Sequence, residues 1–439
     1  MWKLELQNRK KLLFLKNPNE RASYRMKQTK DPYAALRFPE FRYFITAQFL
    51  FTAAILIQEV VISFYLYEIT HDPLSLGLIG LFEAIPYISL ALFGGYFADK
   101  RDKKIIIQIC YGIIVLCSFM LLWITYPSAN QAIDLPKLKF IIYLTVFVLG
   151  VARGFYGPAW SSLKPFLVPS EHYPNSASWS SQFWQSGMIL GPASAGFLYS
   201  WLGLSNTLIL VLFLFGIAFV LVSFISRKPV QRSETHQNVF QSLKEGIDFV
   251  RKNRILFYAI LLDMFSVLFG GVIAILPVFA KDILHVGAEG LGVLRAAPGV
   301  GAVLTMLGTA YFPPTRKAWR NMLIAVTGFG VATLVFAVST NLWLSVAALF
   351  LTGAFDSISV IIRQTILQIL PPDEMRGRVS GVNGIFVSCS NELGAFESGV
   401  AAKFFGAVPS VLFGGVMTLV IAGIIFLRSK ELFDIKLEK

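Results

Sequence analysis

Several ionisable side chains stand inside long apolar runs of this 439-residue sequence: Glu59, Glu83, Arg153, Asp263, Arg295, Asp356, Arg363, Glu392 and Glu397. A charge in hydrocarbon costs about 2.5–3.5 kcal/mol on insertion scales, so each needs a partner or a water-filled path. An acid whose surroundings alternate between water and an arginine takes up and releases a proton, and that is the chemistry these residue types support. Glu59, Asp263 and Asp356 are the candidate proton carriers, with Arg153 as the cation that modulates them. Helical spacing places Gln48, Thr52, Glu59 and Ser63 on one face, and Asp356 and Arg363 on another. The competing reading is that such charges are fixed pairs holding helices together.

The elements that position them follow from composition. With 55% hydrophobic and 15% charged residues, the chain is too apolar for a soluble multidomain protein. A spanning helix needs about 20 residues, and near-continuous apolar runs exclude the alternating pattern of a barrel. The expectation is an all-α membrane protein of twelve spans, near 42–66, 75–98, 105–126, 139–160, 177–200, 207–226, 255–280, 289–312, 321–338, 343–366, 379–402 and 408–427. They group as a basic N-terminal segment (1–41), a first six-helix bundle (42–226), a central loop (227–254), a second bundle (255–427) and a tail (428–439).

A formal charge of +13 raises the question of nucleic acid, but 32 of the 39 Lys and Arg fall in segments that share one side of the membrane if the chain crosses twelve times. The positive-inside rule makes that side cytoplasmic and places both termini there. A nucleic-acid protein gathers its cations on one folded face, which this pattern excludes. The N-terminal segment lacks the features of a removable signal and reads as a basic tail or an amphipathic surface helix. Cys110, Cys117 and Cys389 lie inside spans, and the four histidines sit in loops without ligand spacing, so neither metal nor cofactor is implied. No phosphate-binding glycine loop ending in Lys-Ser or Lys-Thr is present, so energy comes from an ion gradient or a partner, and the chain is not read as an enzyme.

A duplication is visible. Gly150, Arg153 and Pro169 have counterparts at Gly353, Asp356 and Pro371, and Pro86 and Gly95 at Pro298 and Gly308. By this repeat Arg153 with Asp356, and Glu83 with Arg295, are equivalent positions and candidate pairs. Between spans 2 and 3 the hairpin from Gly94 to Lys104 combines Gly95, Asp99, Lys100, Arg101, Lys103 and Lys104. This resembles the loop signature of the major facilitator superfamily of transporters, which implies two pseudo-symmetric six-helix bundles with substrate between them near the bilayer midplane. It also implies that Asp99 is a cytoplasmic latch between the halves, with the start of span 11 around Ser380 to Asn383 as its partner. Asp102 stands where the family usually has Gly, and Phe312 replaces the acid in the second copy, so the latch is asymmetric.

Arg153 with Gly157 is similar to a motif of proton-coupled members. Gly187, Gly191, Pro192 and Gly196 resemble the export-associated motif, in which glycines and a proline let span 5 pack against its partner in the other half. Gly157-Pro158-Ala159, Met375 to Val379 and Asn391 to Gly394 resemble an exporter subgroup that handles siderophores and macrolides. Gln48, Thr52, Tyr156, Trp160, Gln182, Asn391 and Glu392 are the candidate cavity residues. The expected function is proton-coupled export of a small amphipathic or anionic molecule by a monomer in a bacterial inner membrane. An importer, or a sensor or scaffold that keeps the fold without transport, is the alternative.

Overall fold

The computed structural model describes residues 31–126, 133–228, 239–315 and 317–433. Residues 1–30 of the basic segment, 229–238 of the central loop and 434–439 of the tail lie outside the described residues. The helices are α1 Pro39–Thr70, α2 Pro73–Lys100, α3 Lys103–Thr125, α4 Leu135–Leu163, α5 Tyr173–Ser223, α6 Val239–Lys252, α7 Arg254–Gly270, α8 Gly287–Tyr311, α9 Ala318–Val338, α10 Leu342–Ile369, α11 Asp373–Phe405 and α12 Ala407–Arg428. Spans 5 and 6 are the two limbs of α5, which breaks at Gly203, where φ is 76°. A left-handed φ of this kind is cheap only for glycine. Among the described residues ten elements are long and apolar enough to cross a membrane; the divided α5 and the more polar α11 complete twelve spans.

Local chemistry sets the ends. Proline, which has no N–H to leave unpaired, opens the first turn of α1, α2, α4 and α5. Asp72 caps α2 by accepting from the Leu74 amide at 3.2 Å, and Asn341 caps α10 through the Trp343 amide at 2.9 Å. Asp102 accepts from the Lys104 amide at 2.9 Å and so caps α3. The departure from the family's glycine at this position is thus a helix start.

Span 7 is not one helix. α7 stops at Gly270, and the chain continues through a 3₁₀ turn, Val272–Ile275, and a π turn, Phe279–Ile283. The paired glycines and Pro277 weaken the helix here. The Gly271 carbonyl freed by the break accepts from Ser398 Oγ of α11 at 3.1 Å, and Ile275, Leu276 and Phe279 are fully buried. Such backbone is tolerated at membrane depth only when enclosed by protein.

The duplication is visible as packing. Gly150 of α4 lies against the Glu83 carbonyl and Pro86 of α2, and Gly353 of α10 lies against the Pro298 carbonyl of α8. In each half a glycine lets the helix seat on the proline-bearing helix. α1 packs on the first limb of α5, α7 on α11 and α12, and α9 on α10 and α12; the halves meet through α2 with α11 and α5 with α8. One apolar core runs the length of the first half and takes in the second half at the end of the molecule holding the Asp72 turn. At the opposite, hairpin end the second half has a separate core with α6, which packs on α11.

Candidate functional site

A charged group crosses the boundary between the halves. Arg295 of α8 holds Glu59 of α1 at 3.5 Å, and Arg153 of α4 bonds Glu83 of α2 while its guanidinium lies 5.3 Å from the Tyr87 ring centre. Glu392 of α11 joins them: a Cβ at Gly80 of α2 would stand 3.8 Å from its carboxylate, and its charge acts on Glu83, Arg153 and Glu59. The group therefore contains three acids and two arginines. The side chain of Arg295 is 6% exposed and that of Glu59 is 38%, so the pair has a dry side and an open side.

These pairings correct the expectation from the repeat. Arg153 meets Glu83 and not Asp356, and Arg295 meets Glu59 and not Glu83. Equivalent positions in a duplicated fold are related by a pseudo-axis, which places them opposite each other and not necessarily within reach. Asp356 makes no hydrogen bond or ion pair among the described residues. Asp263 is bonded to Arg363 of α10 with both side chains 4% exposed, a buried clamp inside the second half.

Beside the group, Gln58, Glu59 and Glu83 line a small cavity closed by Ile55, Ile79 and Leu121 among others. Gln58 is 2% exposed and its side-chain oxygen has no hydrogen-bond partner among the described residues. Sequence reading passed over Gln58, although it precedes Glu59 in an apolar run and is itself costly to bury.

Several expected cavity residues are elsewhere. Trp160 stacks on Phe44 at 4.1 Å and Tyr156 packs on Phe51 at 4.6 Å, in an aromatic layer joining α1, α3, α4 and the second limb of α5. Rings bury large area and gain from one another, so these pack into the core of the first half, Trp160 buried and Tyr156 half-buried. Thr52 is buried against Gly187, and Gln48 accepts from Ser180 at 3.0 Å. That face of α1 therefore seats on α5 and is not a water-filled wall, apart from Glu59. Gln182 and Asn391 are exposed, with Asn391 donating to the Val387 carbonyl of its own helix.

The span 5 glycines divide their work. Gly187 and Gly191 press on α1 within the first half, whereas Gly196 meets the Ala288 carbonyl and Gly292 of α8 in the other. Only Gly196 acts as the motif reading expected; Pro192 is buried in the same helix.

At the Asp72 end the halves are joined closely. Lys403 holds Asp72 at 3.0 Å, Ser200 donates to Glu289 at 2.9 Å, Tyr67 donates to Asp282, and Gly77 touches Gly399. The α11 face that meets α2 at Gly399 continues through Gly384, Gly381 and Gly377, which are exposed with open space above them. The gap between α2 and α11 widens toward the hairpin. Gly95 likewise faces open space, Lys103 is buried with its ammonium 5.3 Å from the Phe166 ring centre, and Lys100 and Arg101 are at the exposed end of α2. The Asp99 side chain lies outside the described residues.

Residues 44–395 match the family description Major Facilitator Superfamily. The chain belongs to that superfamily. It is a multi-pass membrane transporter, not an enzyme, with the superfamily's fold of two six-span halves and a small-molecule substrate. It is 25% identical to the uncharacterised MFS-type transporter YkuC of Bacillus subtilis, over 82% of this chain and 84% of that protein. It is 23% identical to the enterobactin exporter EntS of Salmonella typhimurium, over 87% of this chain and 92% of that one. Among solved structures, a D-xylose-proton symporter superposes with a TM-score of 0.70 at 14% identity, covering 91% of this chain and 98% of that one. At that identity the likeness speaks for the fold alone.

Proposed function

We propose that this superfamily member is a proton-coupled exporter of a small amphipathic or anionic molecule, working by alternating access in a bacterial inner membrane. The observation that carries the coupling is the charge group between the halves, whose three acids exceed its two arginines by one. A proton on one acid neutralises the excess, and a protonated carboxyl supplies a donor that the buried Gln58 oxygen lacks. Because Glu59 and Arg295 belong to different halves, separating the halves on that side exposes the acid, and closing them re-forms the pair. Asp263, held in its clamp, is the weakest of the candidate carriers.

Export is favoured by the glycine-proline segment of α5 and by likeness to the enterobactin exporters. The described conformation, closed at the Asp72 end, presents its gap at the basic side, which the positive-inside rule makes cytoplasmic. That is the arrangement for loading an exporter. In this reading Gly95, Asp99, Lys100, Arg101 and Lys103 close the opposite side, Asp99 as the latch, when the molecule opens outward.

The test uses purified protein in vesicles containing a pH-sensitive dye, challenged with a catecholate siderophore and with an amphipathic cationic drug as separate probes. The expected result is proton counterflow on adding one probe, lost in Glu59→Gln and Glu392→Gln variants that still insert. Probe movement with no proton flux, or full coupling in both variants, would overturn the coupling. Binding of a probe without movement under any gradient would instead identify a sensor.

A further inference from the structure

Apart from the charge group, a groove of about 610 Å³ lies on the membrane-facing side of the second half, between α9, α10 and the end of α12. Its walls are Ile324, Val331 and Val335 of α9, Leu344 and Leu351 of α10, and Phe426 of α12, all left part-exposed. It exists because Gly328 and Ala332 leave α9 thin where it crosses Phe355 and Ala348 of α10. Along α9 it runs from Arg320 to Val335, about 22 Å at 1.5 Å per residue, more than the ~15 Å depth of one leaflet's hydrocarbon.

One end of the groove is charged and the rest is not. Arg320 forms its hairpin-end wall, and Phe433 closes it from the turn after α12. Trp319 donates to Ser429 Oγ at 2.8 Å, which brings Arg428 and Lys430 to the same corner. Lys317, Arg320, Arg428 and Lys430 are exposed, and none makes an ion pair among the described residues. Cations clustered at the head of an acyl-length apolar channel complement one ligand chemistry: a phosphate carrying a hydrocarbon tail.

We propose that this groove is a binding site for an anionic phospholipid of the leaflet on the hairpin side, with one acyl chain along α9 and the headgroup phosphate between Arg320 and Arg428. The site is separate from the charge group, since its lining comes from α9, α10, α12 and Phe433 whereas the charges stand on α1, α2, α4, α8 and α11. Its occupant bridges α9, α10 and α12 and supplies the counter-charge that the protein leaves out.

Native mass spectrometry of the full-length protein, with phosphatidylglycerol and phosphatidylcholine of identical chains in equal amounts, tests it. The expected result is at least tenfold preferential retention of one phosphatidylglycerol. Arg320→Gln with Arg428→Gln should reduce that affinity about fivefold for each cation removed, as basic residues at an anionic surface do. Val331→Trp, which fills the groove and leaves the cations, should reduce retention of both lipids, and Leu351→Trp replaces it if that variant unfolds. Ile109→Trp on the exposed face of α3 should change nothing. Equal retention of the two lipids by the unmodified protein, an unchanged preference in the double arginine variant, or full retention in the groove-filled variant would overturn the proposal. So would lipid uptake that appears only after residues 434–439 are removed, because the tail would then be the occupant.

Discussion

From sequence Asp263 is a candidate proton carrier and Arg363 shares a helix face with Asp356, yet the structure joins Asp263 and Arg363 in a buried clamp between α7 and α10. Removing one partner of such a pair leaves a charge without compensation and costs about 3–5 kcal/mol, whereas replacing both by apolar residues is close to neutral. Arg363→Met should therefore lower the thermal midpoint of the purified protein sharply, and adding Asp263→Leu should recover most of it. A single variant as stable as the parent would show that the clamp contributes little. Glu59 differs because its open side and its partner on the other half let the pair break without unfolding either half. The residue types announced both acids equally; the packing around them separates a clamp from a switch.

At the scale of elements, glycines decide where helices meet. A Cβ at Gly196 would collide with the Ala288 carbonyl oxygen, and the obstacle is backbone that cannot swing aside. Gly196→Val should thus prevent α5 and α8 from closing at the Asp72 end. A cysteine at Ser200 should then react at least several-fold faster with a membrane-impermeant maleimide than in the parent, with insertion unchanged. Equal labelling rates would mean that the seam is not part of the gate. A lesser effect is expected at the hairpin: Asp102→Gly removes the α3 cap and should cost about 1 kcal/mol or less of stability.

For the whole molecule the consequence is a closed end and an open end. If the contacts Asp72 with Lys403 and Gly77 with Gly399 mark one terminus of the cycle, trapping them stops it. A short thiol crosslinker applied to Asp72→Cys with Lys403→Cys, on a Cys389→Ser background, should abolish transport, and a reducible crosslinker should allow full recovery. Undiminished transport by the crosslinked protein would rule out opening at this end.

Much of this was legible in the sequence. Hydrocarbon-length runs, the side preference of Lys and Arg, the glycine and proline repeat and the hairpin motif are local or statistical features, and they determined the fold class, the spans and the family, while Asp102 and Gly203 carry local signals for a cap and a break. The partner of a buried charge is set by contacts across tens or hundreds of residues, so only the tertiary structure decided that Glu59 meets Arg295 and Glu83 meets Arg153. The same holds for the ring partners of Tyr156 and Trp160, which pack on Phe51 and Phe44 of α1, because a ring's environment depends on which helices surround it. The closure at the Asp72 end, built from Tyr67, Asp72, Asp282 and Lys403, carried no sequence motif beyond its glycines. Its physical cause is the approach of two halves that the chain encodes separately.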